Sequence, residues 1–143
     1  MSANEISQEI KSVLVIDENL PIGVIANTSA ILALSLGRLV PEMVGADFQD
    51  NEGNIRRGIT TYPIPALKGN AELLRSIRSK LKDYESDLIV VDLFGATRTT
   101  RSYEEYIQVV QDTPENQQEY LGIAISGSKK LVNKFTGNLG LLK

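Results

Sequence analysis

Tyr120-Leu-Gly-Ile-Ala-Ile-Ser-Gly-Ser-Lys-Lys-Leu-Val-Asn-Lys-Phe-Thr-Gly-Asn-Leu-Gly-Leu-Leu142 reads as a short buried strand, a glycine turn, one short helix and an apolar tail. The strand is expected over 120–125 and the helix over 128–136. Working back, Asp87-Leu-Ile-Val-Val-Asp92 is a second apolar run of strand length, and Ser12-Val-Leu-Val-Ile-Asp17 a third, as strands buried on both faces require. Gly58-Ile-Thr-Thr-Tyr62 has strand composition and stops before Pro63 and Pro65, which lack an N–H for a ladder.

Helical runs fall between these strands. Ile22 to Gly37 is apolar nearly all round, with Pro21 at its start and Gly37 as its stop. Over 70–83, Asn70 caps a helix whose buried stripe is Leu73, Leu74, Ile77 and Leu81, leaving Arg75, Arg78, Lys80 and Lys82 to water. Ser102-Tyr-Glu-Glu105 fits a capping box that opens a helix over 102–112. Residues 38–57 carry Pro41, Gly45, Asp50 and Gly53 and read as a long irregular excursion. Strands alternating with helices predict a single α/β domain over 1–143: a three-layer α/β/α sandwich with a four-stranded mixed sheet. Residues 1–10 are expected to be a flexible N-terminal segment.

Composition narrows the chemistry. The 143 residues include no Cys and no His. Thiol and Ser-His nucleophiles are excluded, and acid–base work falls to Asp, Glu, Lys or Tyr. No metal site and no cofactor are expected. The net charge is −3 and the pI about 5.0. That balance disfavours tRNA or any other phosphate backbone as a partner. The polar start and the lack of a membrane-length apolar run lead to the expectation of a cytoplasmic protein.

The ending Lys134-Phe-Thr136-Gly137-Asn-Leu139-Gly-Leu141-Leu142 resembles the close of the type II peptidyl-tRNA hydrolases. The order of elements is also similar to theirs. The resemblance implies a peptidyl-tRNA hydrolase II-like fold and a homodimer. It also points to Asp92 and Thr97 as catalytic candidates, through the similar segment Asp92-Leu-Phe-Gly95-Ala-Thr97. Where that family has its catalytic Lys, this chain has Val24, which cannot donate a proton or stabilise an oxyanion. Peptidyl-tRNA cleavage is therefore expected to be very weak or absent. The pattern Leu20-Pro-x-Gly-x-x-Ala-Asn27, with Pro41-Glu-x-Val-Gly45 and Gly58-Ile-Thr60, more closely resembles a small uncharacterised bacterial family related to that fold.

The expected function is binding of a small polar ligand in a cleft at the carboxyl end of the sheet. Asp17, Pro21, Gly23 and Asn27 are its ligand-binding candidates, with Asp92 and Thr97 beside them. The alternative is a peptidyl-tRNA hydrolase or related amide or ester hydrolase with a rearranged catalytic set, revived if Lys68 or Lys134 reaches the site. A third reading is a purely structural subunit. The excursion 38–57 is the expected lid. The segment 62–67 and the tail 139–142 are the apolar surfaces expected to be covered in the dimer.

Overall fold

The computed structural model describes residues 9–143. The expectation of a flexible N-terminal segment lies outside the described residues for 1–8, and Ile10 already opens the first strand. Among the described residues the chain is α/β with four helices and a four-stranded mixed sheet.

Strand β1 (Ile10–Asp17) pairs in parallel with β4 (Ala66–Gly69) and antiparallel with β6 (Tyr120–Ser128), which pairs antiparallel with β5 (Ile89–Phe94). The order β4-β1-β6-β5 places β6 inside the sheet as the one reversed strand. Side chains of a strand alternate between faces, so both faces of these apolar strands need cover. Val13, Val15, Ile123 and Ile125 point to a cluster with helix α2 (Ala71–Leu81) and helix α4 (Lys129–Thr136). Leu14, Ile16 and Ala124 point the other way, to helix α1 (Ile22–Leu39). Gly122 makes that second contact close: a Cβ there would lie 2.9 Å from Thr28 Cγ2 and 3.0 Å from Val15 O. By length and composition α1 could cross a membrane, yet its inner residues Thr28, Leu32 and Leu36 are buried on the sheet.

The caps fall where expected. Asn70 Oδ1 accepts from Leu73 N at 2.8 Å, and Ser102 Oγ accepts from Glu105 N at 3.1 Å, opening helix α3 (Tyr103–Asp112). A bulge sits at the start of β6: Leu93 faces Gly122 while Phe94 faces Tyr120. The extra residue, Leu121, reverses the alternation, so Tyr120 joins the α2 cluster and Leu121 the α1 cluster.

Three expectations are corrected. The second strand of the four-stranded sheet in chain order is not at 58–62. It follows the prolines, at 66–69, where Pro65 O accepts from Leu14 N and no N–H is asked of either proline. The excursion is not structureless. Strands β2 (Phe48–Gln49) and β3 (Ile55–Arg56) form a small hairpin, closed by Asp50 accepting from Glu52 N and Asn54 N, with Gly53 at φ 83°. The tail and the 62–67 segment do not wait for a second copy. Lys68 N donates to Gly140 O and Leu142 N to Ala66 O, so the tail lines the free edge of β4, and Leu139 and Leu142 pack into the two clusters.

Candidate functional site

Alternation along Ile89-Val-Val-Asp-Leu-Phe94 puts Val90, Asp92 and Phe94 on the α2 face. Asp92 is thus a carboxylate in the middle of an otherwise apolar row. Its partner comes from α2. Arg78 lies four residues after Leu74 and three before Leu81, both fully buried, so it rides on the inner side of the helix rather than facing water. Arg78 Nε donates to Asp92 Oδ1 at 2.8 Å, and Nη2 donates to Glu85. The two paired side chains are only 15% and 21% exposed, well inside the range where desolvation counts.

Asp92 and Arg78 line a cleft of about 270 Å³ with Phe94, Glu115, Gln118 and Tyr120. Gln118 is held rigidly: its Nε2 donates to Val110 O at 2.9 Å and Thr113 O at 3.2 Å, and its own carbonyl accepts from Arg75. Glu115 is turned outward to Lys82 at 2.8 Å. Among the described residues, Asp92 Oδ2 accepts no hydrogen bond, and Arg78 Nη1 is buried without an acceptor. Burial pushes the Asp92 carboxyl above its ordinary value, against the pull of Arg78; Glu85 and Glu115 add to the rise. Burial works against the Arg78 charge too, but Asp92 and Glu85 outweigh it and hold the proton more tightly. Burial likewise raises the Tyr120 phenol, with Asp92 as the next cause. The cleft therefore offers an uncommitted carboxylate oxygen with raised proton affinity, beside a phenol and a neutralising guanidinium.

Thr97 lies elsewhere. It lines a cleft of about 350 Å³ on the α1 face with Ile31, Leu93, Thr100, Ser102 and Tyr106. Tyr106 accepts from Phe94 N at 3.2 Å there, and Thr100 Oγ1 donates to Ala96 O at 2.8 Å. So Asp92 and Thr97 flank the carboxyl end of β5 from opposite faces of the sheet.

The remaining candidates do not join either cleft. Asp17 ends β1, with β6 between it and β5, and its Oδ1 accepts from Asn19 N at 2.9 Å in a local turn. Pro21 precedes α1, and its carbonyl accepts from Val24 N and Ile25 N. Gly23 and Asn27 are exposed on the outer side of α1, so the Asn27 amide is solvated rather than in need of a buried partner. The six residues fail to converge because α1 covers the face of the sheet that Asp92 turns away from. Lys68 lies beside Gly140 and Lys134 donates to Tyr84, and neither lines the Asp92 cleft. No residue of 45–60 lines either cleft, so the hairpin does not stand over them. Sequence reasoning missed Arg78, Gln118 and Tyr120. For Arg78 a usable signal was its i+4 spacing from Leu74; for Tyr120 there was none, since the bulge that aims it leaves no local pattern, and Gln118 is placed by its bonds to Val110 O and Thr113 O.

A family model described as a protein of unknown function, DUF2000, matches residues 10–143, and the chain belongs to that family. A solved structure described as a protein of unknown function, Atu0240, from Agrobacterium tumefaciens strain C58, is similar at 21% identity with a TM-score of 0.83. The similarity covers 92% of this chain and 96% of that one, and it speaks to the fold alone. No curated protein matches the chain.

Proposed function

We propose that this DUF2000 protein binds a small polar ligand in the Asp92 cleft, at the carboxyl half of β5. The observation that carries the reading is the Arg78–Asp92 pair itself. A buried ion pair is weak support for stability, and apolar residues of similar volume in its place are often neutral or better. Here the pair interrupts an apolar face and leaves Asp92 Oδ2 open toward the cleft. Ionisable groups shifted by burial and a specific partner, set in a cleft, mark functional sites. The fitting ligand carries an N–H or O–H for Asp92 and is neutral or weakly cationic, as the single guanidinium is already matched by Asp92 and Glu85. The volume is below the roughly 300–1,000 Å³ of drug-sized sites, which favours a compact molecule.

Amide NMR titration with a panel of small carboxamides, amino alcohols and amines tests this. Shifts should cluster at Asp92, Phe94, Gln118 and Tyr120 and fall at least tenfold in affinity in Tyr120→Phe or Asp92→Asn. Shifts clustering at Thr97, Thr100 and Ser102 would move the site to the other face. No shift with any probe would remove the reading.

The raised proton affinity of Asp92 supports a second reading, an amide or ester hydrolase with Asp92 as general base. Val24 is packed in the α1 cluster and supplies no cation, which keeps this reading second. Peptidyl-tRNA turnover that disappears in Asp92→Asn would promote it. Helices against both sheet faces support the three-layer, hydrolase II-like description of the fold, and the absence of cysteine fits a cytoplasmic place.

A further inference from the structure

The cleft on the α1 face differs from the Asp92 cleft in its charge. Its floor is Ile31 of α1 and Leu93 of β5, and its wall is Tyr103 and Tyr106, three residues apart on one side of α3. Its volume of about 350 Å³ lies within the roughly 300–1,000 Å³ of small-molecule sites, and like them it is apolar with a few polar groups. No carboxylate lines it, although the chain carries a net charge of −3, and its one ionic group is Arg101. The Asp92 cleft holds Glu115 as well as Asp92, and the cleft at the amino ends of β1 and β5 holds Glu42, Glu85 and Asp87. The fold makes no use of the Arg101 charge: among the described residues its guanidinium has no ion-pair partner. The first turn of α3 does not need it either, because Ser102 Oγ accepts from Glu105 N and the Glu105 carboxylate accepts from Arg101 N. Tyr103 is equally idle, 72% exposed and a member of neither core cluster.

We infer that this second cleft takes a small carboxylic acid with an apolar body, the carboxylate on Arg101 and the body between Tyr103 and the Ile31–Leu93 floor. A guanidinium fork matches a carboxylate through two parallel N–H bonds. One cation answers one negative charge. Arg98 does not line the cleft, so a dianion such as a phosphate monoester is left half matched. The body covers the Tyr103 ring and removes apolar surface from water on both sides. Tyr106 Oη accepts from Phe94 N at 3.2 Å, which leaves its own proton for a polar group on that body. Burial raises the Tyr106 phenol and keeps that proton in place. The ligand is opposite in charge to the one the Asp92 cleft fits, and the inference does not rest on that reading.

Amide NMR titration of the full chain with phenylacetate, its neutral amide phenylacetamide, acetate and inorganic phosphate tests this. Phenylacetate should give saturable shifts at Thr100, Arg101 and Tyr103. Phenylacetamide should bind there about tenfold more weakly, since it lacks the charge-assisted bonds. Acetate, without a body, and phosphate, with neither a body nor a matched charge, should also be weaker. Phe94 N donates to Tyr106, so its amide senses both clefts and does not place the ligand. Arg101→Gln should abolish the preference for the acid over the amide, and Tyr103→Ala should weaken acid and amide alike. Both residues are exposed, so circular dichroism should be unchanged in either variant. The inference is overturned if acid and amide bind equally, or if acetate or phosphate binds as tightly as phenylacetate. It is overturned as well if Arg101→Gln keeps the preference, if Tyr103→Ala leaves the affinity unchanged, if phenylacetate shifts Gln118 and Tyr120 instead, or if phenylacetate shifts nothing.

Discussion

Asp92 and Asp50 are both held by an arginine, and their surroundings send them in opposite directions. Asp50 sits in the hairpin turn, accepting from Asn54 N and Glu52 N and from Arg56; the Asn54 bond is the largest influence and lowers its carboxyl, and burial, the next, opposes it without overturning it. Asp92 has a similar ion pair at 2.8 Å, yet burial raises it. The Asp50 pair is a turn that has found its bonds. The Asp92 pair is a polar element set into an apolar face, and the fold has no evident need of it. That difference locates the candidate site more securely than the presence of a carboxylate.

The largest expected effect comes from breaking the buried pair on one side. Arg78→Ala leaves Asp92 desolvated without its cation and should cost about 2–3 kcal/mol of unfolding free energy, below the ~3–5 of a fully buried pair because both groups retain some exposure. A urea midpoint unchanged from native would show that the pair is effectively solvated and erase the contrast with Asp50. Asp50→Ala should cost less than Arg78→Ala, since it removes only solvated turn bonds, and the loss should stay local. Hydrogen exchange should quicken across 48–56 while β1 and β6 keep their protection.

The pH dependence separates the two with opposite signs. Asp92 is raised in the folded state, so its contribution is fully present below the unfolded value near 3.9 and is lost as pH rises through the folded one. Asp50 and Asp47 are lowered, so theirs is present above that value and lost as pH falls through the folded one. Stability of Asp92→Asn relative to native should therefore increase as pH rises above about 4. That of Asp50→Asn relative to native should decrease as pH rises toward about 4, the range in which the native turn gains its stabilisation. The same slope for both variants would sink the comparison. The smallest effect is Asn27→Ala, within about ±0.5 kcal/mol and without consequence for ligand shifts at Asp92, because the amide is already in water.

The fold was legible where burial imposes a pattern. The runs Val13–Ile16, Leu88–Val91 and Leu121–Ile125 are apolar because both sheet faces are covered, and the capped helices announce themselves through Asn70 and Ser102. Strand β4 was hidden because Ala66-Leu-Lys-Gly69 has weak strand propensity and owes its pairing to β1 and the tail. Of the Asp92 cleft only Asp92 itself was legible; that Thr97 stands in a different cleft on the other face was not, since it depends on which face α1 covers. A strand's alternation shows that two faces exist and does not say which helix takes which. Arg78 was hidden for a related reason: a charge at the margin of an apolar stripe reads as solvent-facing until a buried acid is known to lie opposite.

The place of β6 bears on how the molecule comes into being. It is the last strand along the chain, and it lies between β1 and β5. Until it arrives, β1 has only the short β4 beside it and β5 has no neighbour at all. The earlier segments thus wait as unpaired apolar edges while the rest of the polypeptide is made, a period in which such edges are prone to aggregate. Long-range pairing of this kind makes assembly slow and concerted rather than progressive. A nascent chain tethered short of residue 120 should remain protease-sensitive throughout, and release of a few further residues should protect β1 and β5 together.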